Sequence, residues 1–339
     1  MKRMLFVLFF ALYVFTNCYA AAIFGHVPEN SKLKRYISDL YDKKTISEAK
    51  RNLISCGSEA VPHLSNIAMN TGEKSDIRVT AIEVLGDIGD ASTVDNLITL
   101  LNDIDIKIRR ASAQALGLLK DPKAVQPLKQ ALSDYDATLR FNAVRSLEQI
   151  GDSSVLDDYI TLLKDFDYRI RFHSIVALGK LKSAKAVSAL SELTRDMDPN
   201  IRLEVAKTLG EIRDNSCVDP LLYLLNDPHP NVRKYAIESL SGIKDPRSIE
   251  AMMNMIKSGD REMRYHATLG LAKLKDDKPV SLLLKLLKDE SIKVRLAAIG
   301  ALANINTDEV KGALRSILND ESTDVRKAAK ESLEKMGAM

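Results

Sequence analysis

The sequence predicts an all-α fold, an α-α superhelical solenoid of about ten helix pairs, and three observations predict it. Arginine recurs nine times at a spacing of 31 residues, at Arg78, Arg109, Arg140, Arg171, Arg202, Arg233, Arg264, Arg295 and Arg326. A leucine stands seven residues after each of them, from Leu85 to Leu333, and the residue just before each is always Ile, Leu, Val or Met. Between these marks apolar side chains fall at steps of three and four, the period of a helix with one buried face. Such a fixed period marks stacked units, none of which can bury its apolar face alone. Although 339 residues suggest two domains by length, the array fills residues 23–337 and leaves no room for a separate catalytic domain.

Taken in order, residues 1–22 read as a secretory signal. Lys2 and Arg3 open it, Met4 to Phe15 form an apolar run of 12, and small residues follow at Ala20 to Ala22. The run is shorter than the roughly 20 apolar residues a membrane anchor needs. Cleavage after Ala20 or after Ala22 satisfies the small-x-small rule. A second reading competes, because Val14-Phe15-Thr16-Asn17-Cys18 resembles a bacterial lipobox with Cys18 as the lipidated residue, although Asn17 stands where Gly or Ala is usual. Both readings place the protein outside the cytoplasm, in the periplasm or envelope of a bacterium. On the second, a lipid anchor is its only membrane contact.

A degenerate first helix pair follows at residues 31–56, where Ser47 replaces the periodic arginine, and it reads as an N-terminal cap. The unit around Arg109 shows the regular pattern. Its second helix, helix B, runs from Ile106 to Leu119 with Ile108, Ser112, Leu116 and Leu119 on one stripe, and the next first helix, helix A, runs near Pro122 to Leu132. Asp121-Pro122, Asp198-Pro199 and Asp245-Pro246 each set a capping carboxylate before a proline suited to a first helical turn. Small residues three after the arginine, such as Ala81, Ser112 and Ser174, let helices approach closely. The last helix, 323–336, carries Lys330 where other units are mostly aliphatic, as a polar end cap would.

Without Lys2 and Arg3 the chain holds 47 basic and 46 acidic residues, a charge of +1. No global field steers it to nucleic acid. Cys56 and Cys217 fall five to six repeats apart, about 50 Å at 8–10 Å per repeat, so the sequence predicts two free thiols in a monomer.

These residues resemble the HEAT-repeat superfamily, in particular the short HEAT-like repeats of the phycocyanobilin-lyase type, over roughly residues 31–337. The resemblance rests on the Asp-x5-Arg pairing and the Ala-x3-Leu stripe. It implies an α-solenoid, and among its members are scaffolds, adaptors, a chromophore lyase, an iron hydroxylase and a DNA glycosylase. It also implies that aspartate and arginine form a hydrogen-bonded ladder between successive repeats. Here the ladder falls to Asp103 and Arg109, Asp134 and Arg140, Asp165 and Arg171, Asp196 and Arg202, Asp227 and Arg233, Asp289 and Arg295, and Asp320 and Arg326. A guanidinium fork can hold a carboxylate or helix-end carbonyls bidentately, which accounts for the arginine column without an anion track.

Asp105, Asp136, Asp167, Asp198 and Asp260 lie four residues before the arginines, at the expected N-cap of helix B. They form no calcium-loop series. His173 and His266 stand three repeats apart, nearly 30 Å, too far to share a metal. The His-Glu pair of the hydroxylase relatives is missing, as are HExxH, CxxC, Gly-x-Ser-x-Gly and a phosphate-cradling loop. No metal, cofactor or catalytic residue is expected.

The aromatics exceed what the repeat demands. Phe141 and Phe172 directly follow periodic arginines, Tyr265 does so in a third unit, Tyr235, His173 and His266 lie beside that position, and Tyr135, Phe166 and Tyr168 crowd the preceding turns. One reading is extra packing. The other is a set of aromatic anchors on the helix B side, which the HEAT resemblance places on the concave face. The expected function is a non-enzymatic scaffold or adaptor for a protein or peptide. The alternative is a small-molecule-binding, chromophore-lyase-like or enzyme-accessory protein.

Overall fold

The computed structural model describes residues 31–243, 245–258, 260–274 and 278–338. Residues 1–22, for which the sequence suggests a signal, and with them Cys18, lie outside the described residues. The described residues form twenty α-helices and no strand, in two compact units that divide after Ala124.

The first unit holds three helix pairs: α1 (Ser31–Asp39) with α2 (Ile46–Cys56), α3 (Val61–Met69) with α4 (Ser75–Ile88), and α5 (Val94–Leu100) with α6 (Ile106–Leu119). Seven pairs make the second: α7 (Val125–Ala131) with α8 (Ala137–Ile150), α9 (Leu156–Leu162) with α10 (Tyr168–Leu181), α11 (Val187–Glu192) with α12 (Pro199–Ile212), and α13 (Val218–Leu224) with α14 (Pro230–Leu240). They continue with α15 (Pro246–Ser258) and α16 (Arg261–Leu274), α17 (Val280–Leu286) and α18 (Ile292–Leu302), and α19 (Asp308–Ser316) and α20 (Thr323–Lys335). Odd-numbered helices are the A helices and even-numbered ones the B helices. Within each unit a B helix packs on its own A helix and on the next B helix.

Local chemistry sets the boundaries. Five B helices, α4, α6, α8, α10 and α12, end on a left-handed residue, Gly89, Lys120, Gly151, Lys182 and Arg213, whose N–H donates to the carbonyl of the periodic leucine four residues back. An aspartate then caps the next turn: Asp121 accepts from the Lys123 N–H at 2.8 Å and Asp214 from the Ser216 N–H at 2.8 Å. That turn is a short 3₁₀ segment, Pro122–Ala124 in the first case, so helix A proper starts three residues later than the apolar stripe alone suggests. Asp105, Asp136, Asp167, Asp198 and Asp260 each accept a main-chain N–H at the start of their B helices, at 2.7–2.9 Å.

The periodic leucines are buried, as are the small residues three after each arginine. Close approach needs the small column near the end of helix B. A Cβ added at Gly210 would stand 2.6 Å from the Ser239 Cβ, and the Ser239 hydroxyl donates across that contact to the Ala206 carbonyl at 2.8 Å. Cys56 is half-buried, Cys217 is buried, and both are free thiols.

Candidate functional site

The arginine column forms the ladder, with a connectivity that spacing alone does not show. Arg140 sends Nε and Nη2 to the carboxylate of Asp165 in the next repeat at 2.9 and 3.1 Å, and Nη1 to the main-chain carbonyl of its own Asp134 at 3.0 Å. Arg202 repeats this with Asp227 and the Asp196 carbonyl, Arg295 grips Asp320 and the Asp289 carbonyl, and Arg171 reaches Asp196 at 3.3 Å and the Asp165 carbonyl at 3.0 Å. In the first unit Arg78 holds Asp103 at 2.6 Å, and Arg109 donates to the Asp103 carbonyl at 2.9 Å. Arg140, Arg171, Arg202 and Arg295 therefore meet the aspartate six residues before them only through the main chain, and their carboxylate partner lies 25 residues ahead, whereas Arg78, with Gly72 at that place, donates to the Ala68 carbonyl at 2.8 Å. Two others depart. Arg233 finds Ser258 at the aspartate position and lies 3.6 Å from Asp260, with Nε on the Met263 sulfur at 3.4 Å, and Arg326 turns to Thr323 at 3.1 Å.

The ladder holds the turn between helices A and B. At Phe166 the Asp165 carboxylate accepts the Asp167 N–H at 2.8 Å, while Arg171 donates to the Asp165 carbonyl at 3.0 Å and to the Phe166 carbonyl at 3.3 Å. The main chain is fixed on both sides and the side chain projects outward, 101% exposed. Tyr135 at 83% and Met197 at 97% occupy the same turn position one repeat either side, each with its carbonyl held by Arg140 or Arg202. Pro228 continues the row, its carbonyl accepting from Arg233 at 3.2 Å. At Glu290 the side chain instead turns back to Arg264, at 2.9 Å. In the first unit Ile104 holds the same turn position and is fully exposed. Ile104 and Met197 escape a search for aromatics, yet they share the 31-residue spacing of Tyr135 and Phe166.

The remaining aromatics fall into two groups on the B helices. Phe141 on α8 and Phe172 on α10 are half-buried and meet the His173 ring edge-on, at centroid separations of 5.4 and 5.5 Å. The Arg169 guanidinium carbon lies 4.9 Å from the Phe141 centroid. His173 Nδ1 lies 2.9 Å from Glu148, whose other oxygen accepts from Lys180 at 2.7 Å. Glu148 stands in the small column that holds Gly179 and Gly210 in the next repeats. Burial would raise its pKa, but the hydrogen bonds from His173 and Lys180 outweigh that and hold it below the ordinary value. This group is packed and internally paired. Tyr168, the first residue of α10, stays exposed.

Farther along, Tyr265 and His266 meet edge-on at 5.1 Å on α16, and Tyr235 on α14 lies 5.0 Å from the Lys207 ammonium. Burial, and after it the charge of Lys234, pushes the His266 pKa down. Among the described residues no group of three or more His, Cys, Asp or Glu side chains could hold a metal ion, and no helix is long and apolar enough to cross a membrane.

A comparison with curated proteins finds no match. Among solved structures, an engineered protein is similar at 21% identity and TM-score 0.56, with 90% of this chain and 98% of that chain covered. The complex of CpcE and CpcF of phycocyanin lyase from Nostoc matches at 22% identity, TM-score 0.41, over 73% of this chain and 95% of that one. Human deoxyhypusine hydroxylase matches at 21% identity, TM-score 0.35, over 72% and 96%. The likeness to the engineered protein is one of fold. The family profile of HEAT repeats matches residues 61–140, 125–196, 187–260 and 249–334, continuously from α3 through α20 and over the arginine ladder, and the chain belongs to the HEAT-repeat family.

Proposed function

We propose that this protein is a non-enzymatic scaffold or adaptor of a bacterial envelope that binds a protein or peptide partner through its exposed turn tips. HEAT repeats are a fold suited to protein interaction, because stacking presents the same position again and again along one edge. The observation that carries the reading is the row Tyr135, Phe166 and Met197. Three consecutive repeats hold a large apolar side chain out into water on a turn whose main chain the ladder has fixed. Rigid display lowers the entropy lost on binding, and exposed apolar anchors at about 10 Å intervals suit an extended partner. The signal-like residues 1–22 support export.

The test is site-specific photocrosslinking in envelope fractions. A benzophenone side chain at position 166 is expected to give a discrete adduct, and one at exposed Lys327 is not. Changing Tyr135, Phe166 and Met197 together to serine should abolish capture by a crosslinker at position 168 and leave Tm unchanged, since surface substitutions of this kind stay within about 0.5 kcal/mol. Equal adducts at both positions, or capture that survives the triple change, would refute the reading.

A further inference from the structure

The repeat pattern breaks in three places at once in the second unit, and all three line one cleft. Eight residues before the periodic arginine, the chain has Asn70 and then Leu101, Leu132, Leu163, Leu225, Ile256, Leu287 and Leu318, but Thr194 in the pair α11 and α12 of the second unit. Eleven before it stand Ile98, Lys129, Ile160, Leu222, Met253 and Leu284, but Ser191 in this pair. Ten before it stand Thr99, Gln130, Thr161, Glu192, Asn254 and Lys285, but Tyr223 in the following pair. Two positions that are mostly large and apolar in the other repeats carry small hydroxyl residues here, and an aromatic stands where the others have polar residues or Ala68.

The structural result is specific. The Thr194 hydroxyl donates to the Ser191 carbonyl at 2.7 Å, and the helix tightens into a 3₁₀ turn, Leu193–Arg195, that ends α11 after six residues. An open cleft of about 830 Å³ lies between α11 and α13, with Ser188, Ser191 and Thr194 on one side and Tyr223 on the other. Concave sites for small ligands and peptide side chains have volumes of this order. The Tyr223 ring is 50% exposed, and the Arg195 guanidinium carbon lies 5.3 Å from its centroid.

Charge selects the ligand. Of the two carboxylates in the cleft wall, Glu192 is paired with Lys164 at 3.2 Å and Asp219 with Arg247 at 2.6 Å. Arg195 has no carboxylate within 4.0 Å among the described residues. A guanidinium left in this state, close to an aromatic ring, presents a fork to a carboxylate beside a stacking platform. We infer that this cleft is a binding site for an acidic peptide segment, with Arg195 taking the carboxylate and Tyr223 the neighbouring apolar or aromatic side chain. The site is independent of the turn tips.

A short peptide with benzoylphenylalanine between glutamates, and its lysine-for-glutamate counterpart, test it on the full chain. The acidic peptide should crosslink within residues 184–226, and the lysine peptide should give at least tenfold less adduct. Arg195→Glu should lower the acidic adduct at least tenfold. The double change Ser191→Leu with Thr194→Leu restores the residues usual in the other repeats. It should fill the cleft and remove the adduct while Tm holds or rises, which separates loss of the site from loss of the fold. Phe166→Ser should leave the adduct as it is. Adducts outside residues 184–226, equal labelling by both peptides, or labelling that survives both Arg195→Glu and the leucine pair would overturn the inference.

Discussion

Asp227 concentrates the chemistry of the ladder in one carboxylate. It accepts Nε and Nη2 of Arg202 at 2.6 and 2.9 Å and the His229 N–H at 2.8 Å, and its side chain is only 3% exposed. Burial alone would raise its pKa, but the bond from Arg202, the His229 N–H and the Arg202 charge outweigh burial and leave it lowered. Asp167 is lowered as well, chiefly through its hydrogen bond from Arg169. With folded-state values below the unfolded value of about 3.9, these groups contribute their full stability above about pH 4 and lose it as pH falls further. Thermal denaturation followed by circular dichroism should therefore give a Tm that holds from pH 7 to about pH 5 and drops below pH 4. Asp227→Asn should lower stability at pH 7 by about 3 kcal/mol, because it leaves Arg202 buried without a counter-charge, and should flatten the acid limb. The presence of the ladder was legible in the sequence. Its connectivity was not, because in a 31-residue period the aspartate 6 before an arginine and the one 25 after it belong to the same column.

At the scale of an element, the end of helix B shows a compromise. Gly89 and Gly151 take the left-handed cap with φ of 75° and 77°, while Lys120, Lys182 and Arg213 take it with φ of 50–57°. An L-residue there is disfavoured by roughly 1–2 kcal/mol, part of which glycine gives back through a more flexible unfolded chain. Lys182→Gly should thus raise stability by about 0.5–1 kcal/mol, read as a higher denaturant midpoint with an unchanged slope. Periodicity located the B helices well, Ile106–Leu119 among them, because fourteen residues of stripe and an aspartate cap agree. It located the A helices less well, since over three residues a 3₁₀ turn and an α turn place side chains alike. The turn tips were harder still. Tyr135 and Phe166 sit between two helical stripes, where no periodic rule states whether a side chain faces water, and only the clamped turn shows that it does.

At the scale of the whole molecule, stability is shared between neighbours. Leu178 is fully buried in the last turn of α10, so Leu178→Ala should cost about 2–5 kcal/mol. In a near-neighbour array the loss should appear first in the adjoining repeats, as faster hydrogen exchange across α8, α10 and α12 than in α18 and α20. The cross-repeat side-chain bonds of the second unit span 25 residues along the ladder and 33 between B helices, as from Thr208 to the Ile175 carbonyl. That spacing makes the protein adjustable in length. Excising residues 141–171 as a block would bring Asp196 to the place Asp165 holds relative to Arg140, so the ladder bond across the junction would have a chemically equivalent replacement, while the His173 and Lys180 bonds to Glu148 and the Lys129–Asp158 pair would be lost. Gain or loss of a whole repeat thus leaves the ladder continuous, and it changes the number of apolar tips along the edge. Duplication of this segment could lengthen the span offered to a partner without redesign of the core.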